Sequence, residues 1–190
     1  MQKRTLRFLE VTEQNNRIGV LSIRTHELVE AKMRNLTRGE SERLHQALDF
    51  IEHSLSARAP GEFSTKFYET LKSIVFLASD SVHVGARAAC WWHDASIPVV
   101  YMNRQIYMQM HCTFQEFAVT VLHEVLHHMV GLNADGQLPD DSSTEEARHD
   151  LQCYTLLDVP ILSESWILEE HPELIKEFPT LKVNRVRTEV

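Results

Sequence analysis

Two histidines four residues apart flank a glutamate in "HEVLHH", residues 123–128. On a helix, positions i and i+4 share a face, so His123 and His127 can direct ring nitrogens at one ion. Glu124 is the next residue round, beside such an ion without being stacked on its ligands. A general base is needed there. An ion that lowers the pKa of water to about 7 makes hydroxide available at neutral pH. A carboxylate can take the proton and later deliver it to a leaving amine. His128 projects about 100° away from His127 and is expected in the core or on the surface, not at the ion.

Tetrahedral catalytic zinc takes three protein ligands and keeps one position open. A third ligand must therefore come from elsewhere, and "EEARHD", residues 145–150, offers carboxylates. Glu146 and Asp150 are four apart and face the same way on a helix. Glu146 is the expected ligand. Asp150 is then placed to accept the N–H of a ligating histidine and fix its tautomer. Glu145 and His149 are the alternatives to Glu146. Ser143 with Glu146, or Ser142 with Glu145, has capping-box spacing that would occupy a carboxylate at a helix start.

The elements that would carry these residues follow from hydrophobic spacing. Around the motif, Phe114, Phe117, Ala118, Val119, Val121, Leu122, Val125, Leu126 and Met129 cover most sides of a helix. Such a helix is central and buried. His123, Glu124 and His127 are then inside the protein or line a cleft, where unpartnered polar groups are costly. Thr113 and Glu116 form a capping box at its start, and Gly131 is a natural stop. Before it, "IPVVYMN" (97–103) reads as a strand, and Pro98 suggests an edge position bordering the cleft. After it, the acidic loop "NADGQLPDDSST" is long enough to fold a second helix, "EEARHDLQCYTLLDVP", back against the first; Pro160 closes that helix.

Upstream, "TLRFLEV" and "RIGVLSI" are candidate strands and "THELVEAKMRNL" reads as helical. "TRGESERLHQALDFIEHSL" is a clear amphipathic helix, with a Thr37–Glu40 capping box and Leu44, Ala47, Leu48, Ile51 and Leu55 at helical spacing. "SARAPGEFS" reads as a loop. "STKFYETLKSIVFLAS" reads as another helix, with Phe67, Leu71, Ile74 and Val75 on one face. Residues 161–190 form a tail with one or two short helices. No internal repeat or domain boundary appears, so residues 1–190 are expected to form one domain around a motif region of about 95–160.

The bulk composition narrows the function classes. In 190 residues, 43% are hydrophobic and 24% charged, as in an ordinary globular domain. The net charge of −8 argues against a chain-wide nucleic-acid surface, which needs clustered Lys and Arg. No apolar run approaches the roughly 18–20 residues that span a bilayer, and the start lacks a signal-peptide core. A cytoplasmic location is the expectation. Three cysteines at irregular spacing do not form a disulfide framework.

"HEVLHH" with the distal "EEARHD" resembles the gluzincins, HExxH zinc peptidases with a downstream glutamate ligand. The order strand, motif helix, acidic loop and "EEARHDLQCYTLLDVP" is similar to the ImmA/IrrE family of small bacterial metallopeptidases, over about residues 95–160. The resemblance implies an α+β, zincin-like metallopeptidase domain: a small mixed sheet, an edge strand bordering the cleft and a central active-site helix. It implies Zn2+ held by His123, His127 and Glu146, with Glu124 as the base. It further implies limited cleavage of a regulatory protein such as a helix-turn-helix repressor, in DNA-damage, stress or antiviral-defence responses. The chain departs from the family in two places. Leu126 stands where glycine is usual before the second histidine, and Arg148 where asparagine is usual after the alanine. No DNA-binding or sensor segment is evident.

A cysteine thiolate on the open position would silence such an enzyme, as cysteine switches do in other zinc peptidases. Cys90, in "ACWWHD" just before the expected edge strand, is the first candidate for this latch. Cys153 lies on the face of Glu146 but roughly 10 Å along the helix, and Cys112 lies near the far end of the motif helix. "CWWH" with Arg87 could alternatively stack single-stranded DNA as an activating signal. Tyr101, Tyr154 and His149 are candidates for stabilising an oxyanion. Two rival functions stand beside the repressor peptidase. A SprT-like peptidase of DNA–protein crosslinks would need a third ligand histidine and a basic surface. A non-catalytic, metal-stabilised module that binds a regulator would have no use for Glu124.

Overall fold

The structure, a computed structural model, describes residues 17–21, 28–79, 88–93, 97–103, 113–130, 143–163 and 165–184, with Arg7 and Val11. The side chains of 17–21, 28–31, 88–93 and 103 lie outside that description, as does most of "TLRFLEV".

The described residues form an α+β fold, more helical than extended. β1 (Arg17–Leu21) pairs antiparallel with β2 (Leu28–Arg34), and β2 with β3 (Val75–Ser79). β5 (Ile97–Asn103) runs parallel to β3, and β4 (Ala88–His93) runs antiparallel to β5. The sheet order is therefore β1-β2-β3-β5-β4. The helices are α1 (Arg38–Arg58), α2 (Gly61–Ser73), α3 (Phe114–Val130), α4 (Ser143–Leu157) and α5 (Trp166–Glu170).

Several sequence expectations hold. Thr37 Oγ1 accepts from the Glu40 N–H and Glu40 Oε2 accepts from the Thr37 N–H, so the capping box opens α1. The same reciprocal pair between Thr113 and Glu116 opens α3. "IPVVYMN" is a strand, and the tail holds α5 and a 3-10 turn, Pro172–Glu177.

Others are corrected. The stretch expected as helical over 25–36 contains β2. "LVEAKMR" is rich in helix formers, but strands on both sides supply its backbone partners, and tertiary pairing overrides weak propensity. The helix expected over 64–79 ends at Ser73 and gives way to β3. All five β3 residues are buried, as in a strand covered on both faces, and a helix there would have turned some of them to solvent. The loop expected over 56–64 shrinks to Ala59 and Pro60, because proline needs no N–H partner at a helix start. Finally, β5 is not the edge. It lies between β3 and β4, and among the described residues the edge strands are β4 and β1. Pro98 is tolerated inside the sheet because the pairing with β3 begins only at Val99, opposite Val75.

The helices cover one face of the sheet. Phe76, Val100 and Met102 point from β3 and β5 into a core shared with α1–α4. Val75, Leu77 and Val99 point to the other face, with Met33, Val11 and Ile97. This alternation is the period of two that strands impose. α3 lies at the centre: Phe117, Val121, Leu122 and Val125 are fully buried there. A fully buried side chain of this kind contributes about 1.5–3 kcal/mol. Tail residues Ile161, Ile167 and Leu174 pack on Ala147 and Leu151 of α4, holding that helix from outside. Asp158, with a left-handed φ of 57°, ends α4 and accepts from both Arg58 and Lys182.

Candidate metal centre

α3 and α4 bring together the residues singled out by spacing. His123 and His127 sit one turn apart on α3, each only 8% exposed, with Nε2 atoms 2.9 Å apart. Glu146, in the first turn of α4, reaches across to both. Its Oε2 is 3.0 Å from His123 Nε2 and its Oε1 is 3.4 Å from His127 Nε2. Donors at 2.0–2.2 Å from a tetrahedral ion lie roughly 3.3 Å apart. The separations here, 2.9, 3.0 and 3.4 Å, lie within a few tenths of an ångström of that value, and the set is two imidazole nitrogens and one carboxylate. His123, His127 and Glu146 form a group able to hold a metal ion, the one such group among the described residues.

The surrounding groups tune this trio. His123 Nδ1 is 2.9 Å from Asp150 Oδ1, so the outer nitrogen faces a carboxylate while Nε2 faces the shared point. Burial works to lower the His123 pKa, but the carboxylates of Asp150 and Glu146 outweigh it and hold the ring well above its ordinary value. Burial likewise works to raise Glu146, and its contacts with His123 and His127 reverse this and hold it well below the carboxylate range.

Glu124 is buried beside the trio, 7% exposed. Burial pushes its pKa up, against the opposing pull of His123 and His127. A buried carboxyl with a raised pKa next to a metal-competent group is a candidate for proton transfer.

His149 also faces this group. Its ring centroid is 4.9 Å from that of His127 and 5.9 Å from that of His123. Burial lowers its pKa, and the neighbouring His127 and His123 lower it further. Helical spacing contained the signal: Glu146 and His149, three apart, share a face of α4.

The remaining candidates lie apart from the trio. Glu145 pairs with Arg148, which also donates to Glu177 at 2.9 Å. His128 is buried, but on the sheet side: its Nε2 is 2.9 Å from the Val99 carbonyl oxygen, tying α3 to β5. Burial pushes its pKa down to about 4. Tyr101 is fully buried in β5 with its pKa pushed up to about 12, and Tyr154 packs at the junction of two apolar clusters. Cys153 is fully buried and outside the metal-competent group, and burial holds its thiol well above its ordinary pKa. Cys90 lies on β4 itself, opposite Val100, not before the edge strand as expected. The side chains of Cys90, Trp91 and Trp92 lie outside the described ones, and Cys112 and Arg87 outside the described residues.

No protein-family model, curated protein or solved structure matches the chain. Among the described residues, no helix is long and apolar enough to cross a membrane.

Proposed function

We propose that this chain is a zinc-dependent endopeptidase of zincin-like architecture that makes a limited cleavage in a regulatory protein. The observation that carries the reading is the buried Glu124 next to the converging His123, His127 and Glu146. Two imidazoles and one carboxylate suit zinc, and three protein ligands are the number found at catalytic zinc. A zinc ion bound there would supply Lewis-acid polarisation of a peptide carbonyl and lower the pKa of water to about 7.

The protein's own groups do the rest. Glu124 accepts the proton of the attacking water and delivers it to the leaving amine. Asp150 holds His123 in the tautomer that presents Nε2 to the ion. Among the described residues β4 ends the sheet and runs alongside α3, so an extended peptide adding to that edge would cross the site. The chain's net charge of −8 favours the repressor-type peptidase over a crosslink peptidase, which needs a basic surface.

The test is incubation of the zinc-loaded protein with the helix-turn-helix regulator encoded beside it, with and without single-stranded DNA, in parallel with Glu124→Gln. The wild type should cut and the variant should bind zinc but not cut. Equal cleavage by the variant would sink the mechanism. Zinc binding with no cleavage by either form would favour the binding module.

A further inference from the structure

The geometry points to a fourth, displaceable metal ligand: His149 closes the site formed by His123, His127 and Glu146. This rests on the reading of that trio as a metal site, and it concerns how the site is guarded.

Three imidazoles bound to one tetrahedral ion, each nitrogen about 2.0–2.1 Å from it, hold their ring centroids roughly 5 Å apart. His123 and His127 are 4.7 Å apart by this measure, His127 and His149 4.9 Å, and His123 and His149 5.9 Å. Every pair of rings is steeply inclined, at 68°, 73° and 76°, so none is stacked flat on another. His149 Nδ1 is buried and has no hydrogen-bond partner. A ring nitrogen removed from water without a partner is costly unless it finds one, and an ion in the trio would provide it.

His149 is not part of the converged donor set, so its ring is in place while its nitrogens are not. A side-chain rotation on α4 separates the two arrangements. The two groups also differ in attachment. Glu146 contacts both α3 histidines, while His149 makes only ring-edge contacts with them. His149 is therefore the ligand that yields. A site with four protein ligands is closed, and one with three has a position open to substrate. His149 thus occupies, on α4, the guarding role for which the sequence suggested Cys90.

Zinc alone tests this, without any substrate. The full chain is labelled with 15N-histidine, ring signals are assigned with single His→Gln variants, and one equivalent of zinc is added. Ring nitrogens of three histidines, His123, His127 and His149, should shift to metal-bound positions. Shifts confined to His123 and His127 would overturn the proposal. In a chelator competition, His149→Phe keeps a ring for packing but no nitrogen, and should bind zinc at least about tenfold more weakly, with the metal-free variant still folded by circular dichroism. Affinity within twofold of wild type would overturn it as well. If Glu124→Gln cleaved like the wild type, the peptidase reading would fall and the ligand count would stand. If zinc did not bind at all, both would fall.

Discussion

His123 and Asp150 meet across the two helices that hold the candidate metal centre, with His123 Nδ1 2.9 Å from Asp150 Oδ1. The contact fixes more than a ring angle. A carboxylate 2.9 Å from Nδ1 favours the proton of a neutral ring on that nitrogen, which leaves the Nε2 lone pair for an ion. Asp150→Asn keeps the shape and loses the charge. It should weaken zinc binding by about 10–100-fold while leaving the fold intact. Chelator competition and far-UV circular dichroism measure the two. Unchanged affinity would show that Asp150 does not orient the ligand.

His128 predicts an acid limb in stability. Its pKa is pushed down to about 4 in the folded protein and should be near 6.5 in the unfolded chain. The sign follows from linkage: between these values the unfolded state binds a proton that the folded state refuses. The stability of the neutral, buried ring is present in full above about pH 6.5 and is lost as the pH falls towards 4. The span corresponds to about 3 kcal/mol at most. His128→Gln can still donate to the Val99 carbonyl but does not titrate. Urea midpoints from pH 7 to 4 should fall more gently for the variant than for the wild type. Parallel curves would mean that His128 is not the group responsible.

Glu40 joins the sheet to the first helix. Arg34, at the end of β2, donates to both of its carboxylate oxygens at 2.8 Å, and the Thr37 N–H donates at 2.7 Å. The Arg34 contact leads in drawing its pKa down to about 2 against the effect of burial. A depressed carboxylate stabilises the fold above the unfolded value of about 4.5, and that contribution fades as pH falls towards 2. Arg34 is partly solvated, so the full shift overstates the energy. Glu40→Ala should lower stability at pH 7 by about 1–2 kcal/mol, since it also removes half of the capping box. A loss below a few tenths would mean that the bidentate pair is inert.

Much of the site was legible because helical periodicity ties sequence spacing to direction in space. The i, i+4 rule places His123 with His127 and Glu146 with Asp150, and the apolar residues around them mark α3 as central. What was not legible depends on partners distant in sequence. β2 is a strand because β1 and β3 flank it, which "LVEAKMR" does not reveal. Val75 satisfied a helical face and a two-sided strand alike, and only the parallel pairing with β5 decides between them. The edge position passed from β5 to β4 for the same reason: Pro98 marks where β3 pairing starts, not where the sheet ends. His128 is adjacent to an expected ligand in sequence, yet one residue's rotation carries it about 100° round α3, where its Nε2 lies 2.9 Å from the Val99 carbonyl oxygen of β5.

The metal itself should act as a clamp between helices. Its expected ligands come from α3 (His123, His127) and from α4 (Glu146), which are joined through residues 131–142. An ion bound to the folded state alone stabilises it by about 2.7 kcal/mol at 100 times the dissociation constant. In a domain of this size each kcal/mol moves the midpoint by about 2–4 °C. Zinc should therefore raise Tm by roughly 5–10 °C at that excess, and a chelator should reverse the rise. Glu146→Gln removes a carboxylate donor and should abolish most of the gain. Glu145→Gln, next to it but paired with Arg148, should retain it. Differential scanning calorimetry with and without zinc compares all three proteins. Loss of the gain in the Glu145 variant but not the Glu146 variant would reassign the third ligand.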